Sequence, residues 1–350
     1  MKRILSIALV LLLGLAGCSG PMEEITTEAP TEAPETDSVR LVMATSANWT
    51  GVLRGEVFEQ CCDALEEWSG GKLTMDMYDA AKLGGDIELI EGVKLGTLNI
   101  VNTVPAYQKE AVAEAALLDA PGIFSSVEQY NQMMDDGYLE IMQEYYRDAG
   151  LELLESYALS FRQLSSNKPV YTMEDFKNLR IRTMESPYQS LYWSSLGAVA
   201  MPLPYSEVYI ALRQGTVDAQ ENPLYNLVSK RFYEVQKYLI LTNHVPMVTN
   251  YVMNKEQYDA LSEENKDLLA RFMSKLKEED IRMMPQEDAK QLQQLQEEWG
   301  MEVIVPSNDL LEQMRSGNAD LLDQLRADLG VEKVNDFLAA AEKARIEVSR

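Results

Sequence analysis

The sequence predicts an α/β protein of two lobes, each a mostly parallel sheet flanked by helices, with one long helix spanning both. Three observations carry this. Strand-like and helix-like segments alternate from Val39 onward, the order that builds largely parallel sheets covered by helices. Ser262 to Trp299 reads as helix almost without glycine, and at about 1.5 Å per residue it outruns a single small domain. The chain has 350 residues, 46% hydrophobic and 25% charged, enough to bury a large core.

The first 38 residues stand apart from this body. Lys2 and Arg3 precede an apolar run from Ile4 to Leu13, of secretory-leader length and short for a membrane span. It ends in Leu15-Ala16-Gly17-Cys18, which resembles a bacterial lipobox. That resemblance implies that residues 1–17 are removed and that Cys18 becomes a lipidated N-terminus anchoring the protein to the membrane; an ordinary leader with an incidental cysteine is the alternative. Residues 19–38 repeat Thr-Glu-Ala-Pro and are rich in acid and proline, an extended spacer or a tail without a role. Residues 18–38 are therefore set apart as lipidated cysteine and spacer.

In the body, Val39 to Ala44 is a short apolar strand. Val57, Cys61, Leu65 and Trp68 recur at helical spacing, and Gly70-Gly71 ends that helix. Leu73, Met75 and Met77 alternate with polar residues as a half-buried strand does. A helix through Ile87, Ile90 and Val93 ends at Gly96, and a strand follows at Leu98 to Val104. Val127 to Asp148 reads as one helix, then strands at Leu151–Tyr157 and Leu179–Thr183, helices at Tyr188–Leu196 and Tyr205–Gln214, and a strand at Tyr238–Thr242. Pro285 should kink or break the long helix, leaving open two ordinary helices on one lobe. Met301 to Pro306 returns as a strand and amphipathic helices close the chain. The expected division is 39–159 with about 248–287 as lobe 1, and 160–247 with about 288–350 as lobe 2.

Composition narrows the function. The formal charge of −25 argues against nucleic-acid binding, whose affinity rests on neutralising phosphates. One histidine, His244, and three cysteines exclude a multi-histidine metal site and a zinc ribbon, and neither metal nor cofactor is expected. Adjacent Cys61 and Cys62 are poorly placed to bridge each other and read as packed apolar residues.

Two stretches are specific. One is Leu179-Arg180-Ile181-Arg182 with Leu196-Gly197-Ala198 and Met201-Pro202-Leu203-Pro204-Tyr205. The other is Gly215-Thr216-Val217-Asp218-Ala219-Gln220-Glu221-Asn222-Pro223 with Leu241-Thr242-Asn243-His244. In order and spacing they resemble the solute-binding proteins of tripartite ATP-independent periplasmic (TRAP) transporters, the DctP family. Gly84-Gly85-Asp86 and Phe161-Arg162-Gln163 are weaker echoes of it. The resemblance implies a periplasmic-binding-protein-like clamshell of type II-like build, acting as an extracytoplasmic monomer that closes over a small organic acid and delivers it to a membrane permease. It implies that Arg182 holds the ligand carboxylate, with Arg162, Asn222 and Tyr205 assisting. The chemistry agrees: a guanidinium grips both oxygens of a carboxylate at once, and crevice residues come from strand ends. A surface ion pair is the alternative for Arg182, and a helix N-cap for Asn222.

The chain departs from the family pattern at Ala47-Asn48-Trp49-Thr50, Thr183-Met184-Glu185 and Asp218-Ala219. Asn48, Trp49, Asn102, Thr103 and Glu185 are candidates for lining the pocket and reading hydroxyls, as in a sugar acid. Trp49 and His244 also read as packed core residues. A receptor for an ATP-driven importer and a ligand-loaded sensor share this architecture. Paired carboxylates for glycoside hydrolysis arise by chance among 56 acids, so an enzyme is not expected.

Overall fold

The computed structural model describes residues 38–349; the leader, Cys18 and almost all of the spacer lie outside the described residues. Eleven strands form two sheets: β1 (Val39–Ala44), β2 (Leu73–Tyr78), β3 (Ile100–Thr103), β4 (Leu151–Phe161), β5 (Gln163–Ser166), β6 (Arg180–Thr183), β7 (Val199–Pro202), β8 (Ala219–Asn222), β9 (Tyr238–Ile240), β10 (Pro246–Asn254) and β11 (Glu302–Ile304). The first sheet runs β2-β1-β3-β10-β4 and the second β11-β9-β5-β8-β6-β7. β10 and β5 are antiparallel to both their neighbours; the other pairings are parallel. This is the two-lobed α/β clamshell expected from the sequence.

Two strand pairs cross between the lobes. β4 leaves the first sheet at Phe161 and β5 enters the second at Gln163, so Arg162 is the crossover residue. The return runs from β9 to β10, and the Arg162 N–H donates to the Val245 carbonyl at 3.0 Å, tying the two crossings together. A third connection is the helix Glu263–Gln293 of 31 residues. It packs on the helix Leu53–Ser69 and β4 in the first lobe, and on the helix Leu224–Ser229 in the second. Pro285 does not break it. Pro285 is exposed, so its ring lies on the solvent side, where a carbonyl freed in the previous turn stays hydrated.

Two other expectations need correction. The segment 127–148 is not one uniform helix: Gly137 has φ 104°, a value that residues with a Cβ avoid, and it interrupts the helical path between Val127–Met133 and Leu139–Asp148. The last helix, Val331–Val348, packs on the first lobe rather than the second. Phe337 packs its ring on Phe124 and Tyr138, and Gln129 donates to the Ala341 carbonyl at 2.8 Å. The helix Ala319–Leu329 before it packs on Pro187–Ser195 of the second lobe, so the C-terminal segment bridges both. Cys61 is fully buried and Cys62 partly so, both as free thiols; burial pushes the Cys61 thiol up to about 11.

Candidate ligand-binding cleft

The sheets meet around a cleft of about 450 Å³, its open mouth included, lined from both lobes. β6 carries Arg182 into it. Ile181 packs in the core beside it, while Arg180 pairs with Asp218 at the lobe surface. Arg182 is 1% exposed. Its Nε and Nη2 donate to the Leu203 carbonyl at 2.9 and 2.6 Å, and Nη2 reaches the hydroxyl of Tyr107, on the other lobe, at 3.2 Å. Among the described residues it has no carboxylate partner, so the surface-ion-pair alternative does not hold. Its Nη1 has no partner among the described residues either. A buried guanidinium fixed on one edge and unsatisfied on the other is a ready anion site.

Arg162 also lines the cleft but is already paired. Its Nε and Nη2 grip the Glu221 carboxylate in a fork, and Nη2 bonds the Glu221 carbonyl at 2.8 Å and Asn222 Oδ1 at 3.3 Å. Burial alone would raise the Glu221 pKa; Arg162 and His244 overcome it and hold the carboxyl at about 2. His244 Nε2 lies 3.2 Å from Glu221 Oε2, and Nδ1 lies 2.9 Å from Thr242 Oγ1. Burial lowers the His244 pKa, so the ring is neutral. An ionised carboxylate only accepts, which places the proton on Nε2 and makes Nδ1 the acceptor for Thr242.

Asn222 ends β8 and its amide donates to Gln220 Oε1 at 2.5 Å, while Oδ1 accepts from Asn226 at 2.9 Å. It is not a helix cap: Pro223 flanks the helix Leu224–Ser229, which has no side-chain cap. Tyr205 and Tyr225 complete the second-lobe wall; the buried Tyr225 hydroxyl has no partner among the described residues.

From the first lobe come Asn102 and Thr103 of β3, with Ser46, Arg54, Asp86 and Thr249. Asn102 donates to Thr249 Oγ1 at 2.6 Å. Arg54 is buried and paired with Asp280 of the long helix at 3.3 Å, which links the interlobe helix to the cleft wall. The structure thus brings Arg182, Arg162, Asn222, Tyr205, Asn102 and Thr103 together. Four candidates lie elsewhere. Trp49 is core, its ring 5.6 Å from Phe58 and 4.4 Å from the Arg54 guanidinium. Asn48 does not line the cleft. Glu185 lines an adjoining mouth with Glu88 and Glu207, and burial followed by those acids raises its pKa against the opposing pull of Arg182. His244 stands behind Glu221, its ring packed between Tyr192 and Trp193. Sequence reasoning missed Asp86, Arg54, Tyr107 and Glu221. Asp86 carried a local signal, an acid opening a helix after Gly84-Gly85, and Glu221 lay within the Gln220-Glu221-Asn222-Pro223 motif.

A polar cleft between two α/β lobes, joined by crossing strands and walled by both, defines a two-lobed solute-binding protein. The chain belongs to the DctP family, bacterial extracellular solute-binding protein family 7, which matches residues 44–328. Proteins of this family bind solutes for transporters and are not enzymes. The chain is 26% identical over 278 residues to the sialic acid-binding periplasmic protein SiaP of Vibrio cholerae, covering 79% of this chain and 85% of that one. A solute-binding protein of Verminephrobacter eiseniae is 32% identical over 209 residues, 59% of this chain, and the match spans only 62% of that relative. Among solved structures, the sugar acid binding protein DctPAm of Advenella mimigardefordensis, in complex with galactonate, superposes with a TM-score of 0.83 at 25% identity, covering 88% of this chain and 99% of that one. No described helix is long and apolar enough to cross a membrane.

Proposed function

We propose that this protein is an extracytoplasmic receptor that binds a small organic acid in the cleft, closes over it, and delivers it to a TRAP-type membrane permease. The observation that carries this is Arg182, a buried guanidinium with no carboxylate partner among the described residues and one edge turned to the cleft. Arg162, neutralised by Glu221, is the neighbour that fixes the wall and supplies polar contacts. The relatives support the reading: sialic acid and galactonate, the ligands named for two of them, both carry a carboxylate beside several hydroxyls. Calorimetry tests it by comparing sugar acids with the same molecules reduced to alcohols. The acid binds and the alcohol does not; equal affinity for both removes the role of the carboxylate.

The same reading places the receptor on a lipid anchor at Cys18, motivated by Leu15-Ala16-Gly17-Cys18. Mass spectrometry of the membrane fraction checks it, and an unmodified N-terminus at another residue contradicts it.

A further inference from the structure

Within the receptor reading, the charges lining the cleft separate one ligand class from another. Four ionisable side chains of formal charge line it: Arg54, Arg162, Arg182 and Asp86. Arg54 is neutralised by Asp280 and Arg162 by Glu221. Arg182 and Asp86 have no ion-pair partner among the described residues. The cleft therefore carries one cation, from the second lobe, and one carboxyl, from the first, that are in no ion pair among the described residues; burial raises the Asp86 pKa, and the Ser46 and Thr103 hydroxyls and the charge of Arg182 oppose that rise.

Asp86 is the first residue of the helix Asp86–Lys94 and is 9% exposed. One oxygen accepts from Ser46 Oγ and the other from Thr103 Oγ1, both at 2.5 Å. These two hydroxyls fix the carboxylate's orientation and use one acceptor site on each oxygen. Each oxygen keeps further lone-pair capacity, and the side chain lines both the cleft and the adjoining mouth with Glu88, Glu185 and Glu207. A ligand carboxylate brought here shares with the Asp86 carboxyl a site largely shut off from water, where two such groups cannot both ionise without cost. A hydroxyl brought here finds an acceptor oxygen.

We propose that Asp86 is the specificity-determining residue of the cleft, admitting monocarboxylates whose far end bears hydroxyls and rejecting dicarboxylates. Arg182 takes the single carboxylate, and Asp86, with Asn102 on the same lobe, reads the hydroxylated end. The selection works as much by repulsion as by attraction, since Asp86 need only disfavour a second anion for the two classes to separate.

The experiment uses equal-length probes: D-gluconate against adipate, and D-erythronate against succinate, titrated into the protein by calorimetry. The wild type binds the hydroxy acid of at least one pair tenfold or more tightly than its dicarboxylate. Asp86→Asn keeps the size and one acceptor, weakens the hydroxy acid about tenfold and tightens the dicarboxylate, so the preference collapses. A wild type that prefers the dicarboxylates, or an Asp86→Asn protein whose ratio stays within twofold of wild type, overturns the assignment while leaving the organic-acid reading intact. Binding of none of the four probes counts against the organic-acid reading, and this assignment falls with it. If Asp86→Asn fails to fold, Asp86→Ser is titrated in its place with the same expected collapse of the ratio, and a wild type that prefers the dicarboxylates overturns the assignment without any variant.

Discussion

Replacing Arg182 separates charge from geometry at the proposed site. In the native chain Nε and Nη2 are held by the Leu203 carbonyl, and Nη2 also by Tyr107 across the cleft. That leaves Nη1 as the group without a partner among the described residues. One or two charge-assisted bonds to a ligand carboxylate at about 1.5–3 kcal/mol each, with a bound anion left unpaired after truncation, set the loss for Arg182→Ala at about 2–5 kcal/mol. Every 1.4 kcal/mol is about tenfold in affinity, so alanine weakens binding about 30-fold to several thousandfold. Lysine keeps the charge but not the fork that Leu203 and Tyr107 orient, and its loss lies between wild type and alanine. Alanine should not unfold the protein: the Leu203 carbonyl loses a donor, but a cation with no carboxylate partner also leaves the interior; lysine keeps the cation and can still donate to that carbonyl. Calorimetry with the acid, beside thermal melting of each variant, makes the comparison. An Arg182→Ala protein that melts like wild type and binds the acid as tightly refutes the assignment.

Glu221→Gln leaves Arg162 buried without its counter-ion, and breaking such a pair costs about 3–5 kcal/mol, seen as a melting temperature lower by several degrees. The same carboxylate has a folded pKa of about 2 against the ordinary 4.5, so its stabilisation is present above about pH 4.5 and lost as pH falls towards 2; the difference is worth about 3 kcal/mol, and the Gln variant should lack that acid-side slope in pH-dependent melts. Asp119 is the opposite case, because burial raises its pKa to about 7 against the pull of Arg162 and the Gln189 bond. The folded state then holds the proton more tightly, stability falls as pH rises from about 4 to 7, and Asp119→Asn should melt with a flatter profile over that window. Saturating ligand should reduce the radius of gyration in small-angle scattering, because only the closed form gathers contacts from both lobes; an unchanged radius with binding confirmed by calorimetry contradicts closure.

Elements marked by local signals were legible in the sequence. β1 and β2 were bounded as the structure has them, because apolar residues cluster or alternate there and Gly70-Gly71 punctuates between them. β10 was not. Pro246–Asn254 is buried on both faces and carries Thr249, Asn250 and Asn254 inside, so it shows neither alternation nor an unbroken apolar run. Arg182, Asn222, Arg162 and Tyr205 were found through motif order, and the cleft gathers all four. The partners of the arginines were not, since Glu221 lies 59 residues from Arg162 and Asp280 lies 226 from Arg54, and nothing local marks such pairs among 56 acids. Trp49 and Glu185 adjoin the right segments, but side-chain direction is set by packing: Trp49 turns into the core against Phe58, and Glu185 turns to the outer mouth.

The central claim is that Arg182 binds the carboxylate of an organic acid between the lobes. A crystal structure of the protein with the acid that gives the largest thermal stabilisation in a screen tests it most directly. A ligand at a hundredfold its Kd adds about 2.7 kcal/mol to the folded state, so the screen reads it readily. The carboxylate is expected within hydrogen-bond distance of Arg182 Nη1 in a closed cleft. A carboxylate bound elsewhere, with that nitrogen still unpartnered, contradicts it.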